Sequence, residues 1–535
     1  MSIPTRHHPS GDGGSKRSRA SASASLFGLL AALAVLWATR SGPICTTDSM
    51  SYLYAAQSLT SHGDLRVPIA QWRDVDSTTA LFVFPPGYPL ALAAVHKIGI
   101  PILGAVRVVS AFAAFASMFT LVLIVATEGG RAGFVMALLL FALPALTKVH
   151  LGALSEPLFL AALAATIALM ASVPEHPWVY GATAAIGVML RYAGISLVGA
   201  ASIWAFQSAI ASDKPPSTSR LTHFVCAVRA ALLAAVPGIA FCVTWQFRAW
   251  REHRETPLTT ATWTGALKAA LMQGGHQLAA HLAPVLLPWS WRKMVALAVA
   301  CIAVSLVIIG WRYSDRAVHE RTRRLGIAST LTAFCYAAVL IYSRLFVGNT
   351  IPFDDRLLSP LLMSGAVVLA IAAIATWRNF RLRNAGWAQH AALFLFGLWL
   401  AAGISQSLRA AAMALATRRD YLSAYWQETP TAAWVRGTGR YYALFTNDPS
   451  AIFFTAGRPS RLLPKTLAPD SVRAFGERLR QIGGAVVQYA RPYDKMADPG
   501  RLARILNLCP VVSSSDRGTV WVPPDKPANA CADAK

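Results

Sequence analysis

Long apolar segments separated by short polar ones occupy most of the first four hundred residues. Eleven of these segments come near the length of about 20 residues with which a helix crosses a bilayer. A segment surrounded by hydrocarbon must satisfy its own backbone hydrogen bonds, which favours the α-helix. The predicted spans are 26–40, 102–126, 131–149, 156–172, 177–191, 193–208, 224–247, 293–311, 326–345, 357–376 and 388–408. The pattern predicts a multi-pass α-helical membrane protein with about 11 spans, whose membrane domain covers 26–408.

The first long polar interval, 41–101, predicts an external loop that carries the functional site, with the other segments as its scaffold. An acid, Asp48, comes a few residues after the first span, and an apolar stretch at 88–99 ends the interval. That stretch has about 12 residues, which is too short to span and favours an interfacial or re-entrant helix. If it did span, every later loop would change sides.

The basic residues of the short loops favour a cytoplasmic N-terminus, because cytoplasmic loops carry an excess of Lys and Arg. One loop, with Arg248, Arg251 and Arg254, opposes this orientation. The residues that agree with it are Lys214, Arg220, Arg312, Arg316, Arg321, Arg323, Arg324, Arg378, Arg381 and Arg383.

The last quarter of the chain predicts a different kind of structure. Residues 409–436 carry Tyr and Trp and favour an interfacial connector, and 437–535 predict a small extracytoplasmic α/β domain. We expect helices where Val472, Phe475, Leu479 and Ile482 share one face and at Leu502–Leu508. Strands are expected at Tyr441–Thr446, Ala451–Thr455, Gly484–Tyr489 and Gly518–Val522. The polar residues 1–25 are expected to be a disordered cytoplasmic segment.

Composition agrees with the membrane prediction and narrows the partners. The chain is 55% hydrophobic and only 14% charged, where a soluble chain has about 25% charged residues. The net charge of +24 is spread over many loops, so we do not expect a nucleic-acid partner. Contact with anionic membrane lipids is the more modest inference. Of seven cysteines, Cys509 and Cys531 could form a disulfide if the tail is extracytoplasmic, and no spacing indicates a zinc site.

Asp48 is the first candidate for chemistry. A carboxylate at the membrane surface could act as a general base on a hydroxyl group or as a metal ligand. It could equally be the N-cap of a helix, since Tyr52, Ala55, Ala56 and Leu59 follow at helical spacing. The two roles are compatible.

Two further features of the same loop could build a site. Asp74 and Asp76 are weak candidates for a divalent metal ion, the alternative being solvated loop acids. Phe84–Pro89 predicts a rigid turn, because proline fixes φ and removes a donor. The residues expected to shape the site are Tyr52, Pro85, Pro86, Gly87, Tyr88 and His150.

Ser155-Glu156-Pro157 begins a span on the side of the Asp48 loop. Ser155 as cap, Glu156 in the first turn and Pro157 after it explain the triplet as a helix start. An acid at the membrane edge is also a second candidate catalytic residue. His150, a few residues earlier, is expected at the interface.

Four cations could hold a lipid phosphate: Arg356, Arg191 and Arg107 near outer ends of the spans, and Lys97 in the short stretch at 88–99. The forked donors of Arg match phosphate oxygens. The alternative for each is a side chain that reaches from the membrane to its surface, or, for Asp354-Asp355-Arg356, a local ion-pair cluster. Nucleotide-binding loops, the G-x-S-x-G elbow and H-E-x-x-H are absent from the sequence.

These motifs together resemble the GT-C fold glycosyltransferases. Asp48 and Tyr52 followed by Phe84–Ala93 (FPPGYPLALA) look like the first external loop of the protein O-mannosyltransferases and of the aminoarabinose transferases that act on lipid A. The later landmarks that resemble their bacterial relatives are Ser155–Leu158, Arg191–Gly194, Arg356–Pro360, Tyr442–Pro449 and Thr455–Pro459. The Asp-Glu pair of the O-mannosyltransferases is missing, because Ser49 follows Asp48.

The resemblance implies a reaction and a place. A sugar on a polyprenyl phosphate would be transferred, usually with inversion, to a lipid, glycan or protein acceptor outside the cytoplasm of a bacterial inner membrane. The loop acid of the family implies Asp48 as base, and its phosphate-holding cations imply Arg356, Arg191 and Lys97. Some relatives need a divalent metal ion and others do not, so no cofactor is certain.

Two other functions compete with this one. A transporter or lipid flippase would tend to show internal repeats and charges in mid-membrane, whereas the acids here cluster at an outer edge. A non-catalytic assembly or sensor protein would leave the Asp48 loop unexplained.

Overall fold

The structure is a computed structural model that describes 12–211, 220–252, 263–282, 288–347, 353–382, 387–417, 420–489, 496–514 and 518–524. Contacts divide the chain into two compact units, which we call the helical unit and the α/β unit. The helical unit comprises Met1–Ala38, Val108–Leu151 and Ser155–Met413, and the α/β unit Thr39–Arg107, Gly152–Leu154 and Ala414–Lys535.

The described residues form twenty α-helices and eight short strands. The helices are α1 (Asp12–Ala38), α2 (Thr47–His62), α3 (Gly87–Lys97), α4 (Ile102–Ala126), α5 (Gly130–Phe141), α6 (Pro144–His150), α7 (Glu156–Ser172), α8 (Pro177–Leu190), α9 (Ile195–Ala211), α10 (Arg220–Glu252), α11 (Trp263–Leu282), α12 (Trp289–Ala317), α13 (Glu320–Tyr342), α14 (Asp355–Leu382), α15 (Trp387–Thr417), α16 (Ala424–Gln427), α17 (Pro430–Arg436), α18 (Pro449–Ala456), α19 (Pro469–Gln481) and α20 (Pro499–Ile505). The strands are β1 (Arg66–Val67), β2 (Ile69–Ala70), β3 (Thr79–Ala80), β4 (Ala443–Thr446), β5 (Ser460–Leu462), β6 (Gly484–Gln488), β7 (Cys509–Ser514) and β8 (Gly518–Val522).

The helical unit confirms a multi-pass membrane protein. Six described helices are long and apolar enough to cross a membrane, and a seventh crossing results if α5 and α6, which meet at a bend of 69°, form one span. Helices α7 and α8 are apolar but shorter. Each of the eleven predicted spans overlaps a helix, while their number stays a prediction. Helix α3, with 11 residues, has the short length expected for a non-spanning segment.

Contacts within the helical unit define two ends. At one end Arg378 binds Glu128, His319 N–H donates to Glu128, and Arg321 donates to Ser172. The last described turns of α4, α7 and α14 therefore lie at the end where α13 begins. The starts of α7 and α14 lie at the opposite end, which we call the Glu156 end. Helix α13 thus runs opposite to α4, α7 and α14, which agrees with the predicted topology for these four helices. Of the basic loop residues cited for that topology, Lys214 and Arg383 lie outside the described residues, as does Arg254 of the opposing loop.

Helix α1 begins earlier than the sequence suggested. The prediction of a disordered segment through residue 25 is wrong from Asp12 onward, because α1 starts there. Ala20 and Ala24 are buried in the apolar core of the helical unit, so this part of the helix is stabilised by packing. Residues 1–11 lie outside the described residues. Helix α15 likewise runs to Thr417, beyond the predicted end of its span at residue 408.

The α/β unit is built on a six-stranded sheet with the strand order β2-β5-β4-β6-β8-β7. The first four strands are parallel, and β8 and β7 are antiparallel additions. Leu444 faces one apolar cluster and Phe445 the other, as strand alternation requires. Both faces of the sheet are therefore covered, which is the usual state of parallel strands.

One strand of this sheet comes from the first polar loop. Residues Ile69 and Ala70 pair in parallel with Ser460 and Arg461. Trp72 packs edge-on against Phe475 at 5.8 Å between ring centroids. The interval 41–101, assigned from the sequence to the membrane domain, thus folds together with the C-terminal residues.

The prediction of a strand at Ala451–Thr455 is wrong. This stretch lies in α18, which Asp448 caps by accepting from Ala451 N–H at 3.1 Å. Pro449 occupies the first turn, and Gly457, with φ +65°, ends the helix in the left-handed conformation. These start and stop signals outweigh a short apolar run that fits either element. The other three predicted strands correspond to β4, β6 and β8. The two predicted helices correspond to α19 and to α20, which begins three residues before the predicted Leu502.

Candidate functional site

At the Glu156 end of the helical unit, three segments far apart in sequence bring one acid and two cations together. Glu156 Oε1 lies 2.5 Å from Arg191 Nη1 and 2.8 Å from Arg356 Nε. Only 1% of the Glu156 side chain is exposed, while the two arginine side chains are 16% and 28% exposed. One buried carboxylate oxygen therefore serves two partly accessible guanidinium groups. We call these three residues the arginine clamp.

The start of α7 places the acid of the clamp. Glu156 is its first residue and Pro157 its second, an arrangement that suits the positive end of the helix dipole. Ser155 occupies the N-cap position, but its side chain makes no capping hydrogen bond. Its Oγ instead accepts from Arg191 Nη1 at 3.3 Å. The expected cap at Ser155 is therefore replaced by a second contact to the clamp.

Arg191 is presented by a break between α8 and α9. Its backbone is extended, with φ −152° and ψ 143°, and a 3₁₀ turn over Tyr192–Gly194 follows. The turn packs against α8 so closely that a Cβ on Gly194 would lie 2.2 Å from the carbonyl carbon of Gly187. Glycine is therefore required here by lack of space, and this packing fixes the chain direction directly after Arg191.

The start of α14 places Arg356. Asp354 Oδ1 accepts from the backbone N–H groups of Arg356 and Leu357, both at 3.1 Å, which caps the helix. Burial raises the pKa of the Asp354 carboxyl, partly offset by its hydrogen bond from Leu357 N–H and by the charge of Arg356. A partly buried acid thus lies beside the clamp.

Asp355 anchors the same helix start to two others. Its Oδ2 lies 2.5 Å from Lys148 Nζ on α6, and its Oδ1 lies 2.6 Å from His281 Nε2 on α11. Of the local cluster considered for Asp354-Asp355-Arg356, the charge of Arg356 acts on Asp354. Arg356 also binds Glu156, and Asp355 binds Lys148 and His281.

Lys148 and His281 were not among the predicted site residues. The signal for Lys148 was available, since it is a charge near the end of a predicted apolar span, where charges are costly unless paired. Helix α11 itself was not predicted, because its sequence mixes apolar and polar positions. The partner of His281 could not be read from the sequence.

His150 is buried. Its side chain Nδ1 lies 2.7 Å from the carbonyl oxygen of Leu146, so Nδ1 carries the proton and donates. Its Nε2 is buried and has no hydrogen-bond partner among the described residues. The ring lines an apolar cavity of about 330 Å³. Other lining residues are Ala34, Ala38, Met118, Phe141, Leu160, Met363 and Leu408. The predicted shaping role is compatible with this position, and the place of His150 at the membrane interface stays a prediction.

The α/β unit contains Asp48, in the first turn of α2. The helix is capped by Thr46 rather than by Asp48: Thr46 N–H donates to Ser49 Oγ at 2.9 Å, and the two hydroxyl groups lie 3.2 Å apart. The alternative role of Asp48 as N-cap is therefore wrong. Asp48 is half-buried, and the capping box at the start of α2 is formed by Thr46 and Ser49.

The expected site-shaping residues of the loop form an aromatic cluster. The ring of Tyr52 lies 4.8 Å from that of Phe84 and 5.1 Å from that of Tyr88, the latter edge-on. Both tyrosines are almost fully buried. Pro85 precedes Pro86, the residue before α3, and Gly87 begins the helix. The predicted turn is thus a helix start that packs α3 on α2.

Asp74 and Asp76 have separate partners. Asp74 Oδ2 accepts from Gln71 N–H at 2.7 Å, and Asp76 pairs with Arg66 at 3.2 Å. Across the described parts of the chain there is no group of three or more His, Cys, Asp or Glu residues that could hold a metal ion.

The remaining predicted cations also belong to the α/β unit. Lys97 is exposed in the last turn of α3, and Arg107 is half-buried in α4. The structure therefore brings two of the four predicted phosphate-binding cations together, with Glu156.

Two solved structures are similar to this chain over most of its length. One is ArnT from Cupriavidus metallidurans bound to undecaprenyl phosphate, at 12% identity, with 93% of this chain and 97% of that chain covered and a TM-score of 0.44. The other is the oligosaccharyltransferase AglB from Archaeoglobus fulgidus in complex with an inhibitory peptide and a dolichol-phosphate, at 13% identity, 87% and 69% coverage and a TM-score of 0.48. Neither a family model nor a curated protein sequence matches the chain.

Proposed function

We propose that this protein is a membrane glycosyltransferase that moves a sugar from a polyprenyl-phosphate donor to an acceptor outside the cytoplasm. The observation that carries the proposal is the arginine clamp, in which two guanidinium groups meet at one end of an apolar helical unit. A lipid-linked phosphate needs cations near the end of the membrane-spanning helices. Arginine binds phosphate oxygens with paired, charge-assisted hydrogen bonds.

The charges of the clamp suit an anion. Glu156 balances one of the two positive charges of Arg191 and Arg356, so the three side chains carry a net charge of one positive unit. At a partly buried site this charge acts more strongly than in water. A phosphate that gains negative charge as its bond to the sugar breaks would be stabilised there, which is the kind of electrostatic effect that often dominates catalysis.

The hydrocarbon chain of the donor also finds a suitable surface. The apolar cavity beside His150 lies in the same unit, and its lining includes Leu160, one turn along α7 from Glu156. Burying an isoprenoid chain there would remove apolar surface from water or lipid contacts without any specific polar partner.

Asp48 is proposed as the general base. It would accept the proton of an acceptor hydroxyl while the hydroxyl oxygen forms a bond to the anomeric carbon. The bond from that carbon to the phosphate oxygen breaks at the same time, which inverts the configuration and releases polyprenyl phosphate. A lipid, glycan or protein hydroxyl would serve equally in this chemistry.

The remaining assignments belong to the same proposal. Lys97 and Arg107 would contribute to donor binding, and Asp74 with Asp76 would hold a divalent metal ion only if both carboxylates left their partners in the loop. Tyr52 and Tyr88 would line the proposed site and shape the part that binds the acceptor.

The proposed place is the bacterial inner membrane, with the N-terminus in the cytoplasm and the α/β unit outside. Arg378, Arg321 and the rest of that basic end would face the cytoplasm, in line with the usual loop bias. Cys509 is disulfide-bonded, which suits an oxidising compartment, whereas Cys531 lies outside the described residues.

The direct test is the rate of sugar transfer from a polyprenyl-phosphate sugar in membranes that contain Asp48→Asn. We expect a loss of about 100-fold or more, the usual contribution of a general base. Asp470→Asn is the matched control, because Asp470 is an exposed acid in the first turn of α19 in the same unit. Transfer by the Asp48→Asn variant at the rate of the control would remove Asp48 as base.

A further inference from the structure

Glu156 has the contacts of a residue that holds other groups in place. Its Oε1 accepts from Arg191 on one side and from Arg356 on the other. Its Oε2 is buried and has no hydrogen-bond partner in the described part of the chain. The two arginines come from different helices and are linked through this one oxygen.

We infer that Glu156 is a positioning residue that sets the spacing and orientation of Arg191 and Arg356 for a lipid phosphate, and that it does not exchange a proton with substrate. This inference rests on the proposed function and deepens it. Two guanidinium groups that converge without a carboxylate between them would repel each other and separate. The shared oxygen holds both at one point while leaving one positive charge in excess.

The geometry argues against an acid or base role. A general acid or base must reach the group with which it exchanges a proton. Glu156 Oε1 is occupied by two N–H donors, and Oε2 is shielded from solvent. A substrate atom would have to displace Arg191 or Arg356 to reach Oε1 of Glu156.

Stability alone does not explain the arrangement. Burying an ion pair costs desolvation that the attraction often only repays, and the orphan Oε2 adds the cost of an unsatisfied buried acceptor. Such a network is expected where it serves a site, because the ion pairs alone bring little net stability.

The helix start around Arg356 supports a positioning role. Asp354 caps α14, and Asp355 ties it to Lys148 and His281. The backbone of Arg356 is therefore fixed from three directions, and the 3₁₀ turn over Tyr192–Gly194 fixes that of Arg191. With both backbones held, the carboxylate of Glu156 sets the point where the two guanidinium groups meet, and Ser155 adds a second contact to Arg191.

Glu128 offers a matched control at the other end of the helical unit. It is also fully buried and also binds an arginine, Arg378, at 2.5 Å. It lies with Ser172 at the far end of α7 from Glu156, about 24 Å away at ~1.5 Å per helical residue. Glu128→Gln therefore removes a comparable ion pair without touching the clamp.

The experiment compares full-length wild type, Glu156→Gln, Glu156→Asp and Glu128→Gln in lipid nanodiscs. The probes are undecaprenyl phosphate and the matching phosphate-free polyprenol, each tested for direct binding. We expect Glu156→Gln to bind the phosphate lipid at least tenfold more weakly and the polyprenol unchanged. Glu156→Asp should recover part of the loss, and Glu128→Gln should bind as wild type even if it is less stable.

Kinetics separate positioning from proton exchange. With a polyprenyl-phosphate sugar, Glu156→Gln should raise KM for the donor more than it lowers kcat and should keep the shape of the pH profile. Loss of kcat and of one limb of the profile at unchanged KM would overturn the inference, and so would phosphate-lipid binding equal to or tighter than that of wild type. If wild type itself does not prefer the phosphate lipid over the polyprenol, the proposed function fails as well, and this is seen without reference to any Glu156 variant.

Discussion

Gly194 packs on Gly187 so closely that a side chain cannot be placed between them: a Cβ at 194 would stand 2.2 Å from the carbonyl carbon of Gly187. The 3₁₀ turn that contains Gly194 directly follows Arg191. The position of one clamp arginine thus depends on a contact between two glycines on α8 and the turn.

We expect Gly194→Ala to displace this turn and Arg191 with it. Overpacking of this kind costs about 1–3 kcal/mol, and binding of undecaprenyl phosphate should weaken along with thermal stability. Gly199→Ala on α9 is the control, because its nearest neighbour would be Cys335 Sγ at an ordinary 3.9 Å. Unchanged lipid binding by Gly194→Ala would show that Arg191 does not depend on the turn.

Asp354 should weaken anion binding at the clamp once it is ionised. Its pKa is raised by burial, so the acid loses its proton only above the usual range for Asp, and the negative charge then lies beside Arg356. Asp354→Asn keeps the helix cap, since Asn caps as well as Asp, and removes this charge. We expect Asp354→Asn to bind undecaprenyl phosphate several-fold more tightly than wild type at neutral pH.

The same change has a defined pH dependence. A raised pKa in the folded state means that the neutral form of Asp354 stabilises the fold at low pH and that this contribution is lost as pH rises through the folded-state pKa. The difference in lipid binding between wild type and Asp354→Asn should therefore be small in acid and grow toward neutral pH. The lipid phosphate titrates identically in the measurements on wild type and on Asp354→Asn. Its titration therefore cancels from the difference between them. A constant difference over this range would contradict the prediction.

The α/β unit should lose stability in alkali. Tyr421 donates to Asp448 Oδ2 at 2.9 Å, and burial together with the charge of Asp448 raises its pKa. Burial raises the pKa values of Cys45 and Tyr489 too. In the unfolded chain these groups ionise near pH 9–10, so the contribution of their neutral forms is complete below that range and is lost above it.

Tyr421→Phe tests this prediction. The variant should be less stable at neutral pH by about 1–3 kcal/mol, because buried Asp448 loses a hydrogen bond. Its deficit relative to wild type should shrink above pH 10, where wild type carries the cost of keeping Tyr421 protonated. Denaturant unfolding followed by tyrosinate absorbance measures both effects, with Tyr441→Phe, an exposed ring, as the control. A deficit that is independent of pH would sink the idea.

The sequence predicted the kind of structure better than the pairing of its residues. Apolar segments such as 102–126 indicate a helix from length and composition alone, and α4 has those bounds. Ala451–Thr455 was assigned to the wrong element because a five-residue apolar run fits both a strand and a helix. The two-residue strand β2 leaves no pattern that could be recognised.

The clamp shows the same limit at the site. Glu156, Arg191 and Arg356 were each named for their residue type and position near a membrane edge. Their shared contact joins residues 200 positions apart, so it depends on how the helices pack and not on local sequence. For the same reason the partners of Asp355 were missed, although Lys148 was visible as a charge in an apolar segment.

The pairing of β2 with β5 has a consequence for how the protein is made. Residue 69 pairs with residue 460, a separation of 391 positions. The six-stranded sheet therefore cannot be complete until nearly all membrane segments have left the ribosome. The first loop therefore lacks its partner strand β5 while the later helices are inserted. Contacts this distant form slowly, and until β5 has been made β2 is an unpaired strand that can associate with other chains. The α/β unit is therefore protected from aggregation through β2 only after its C-terminal residues have been released and β5 can pair.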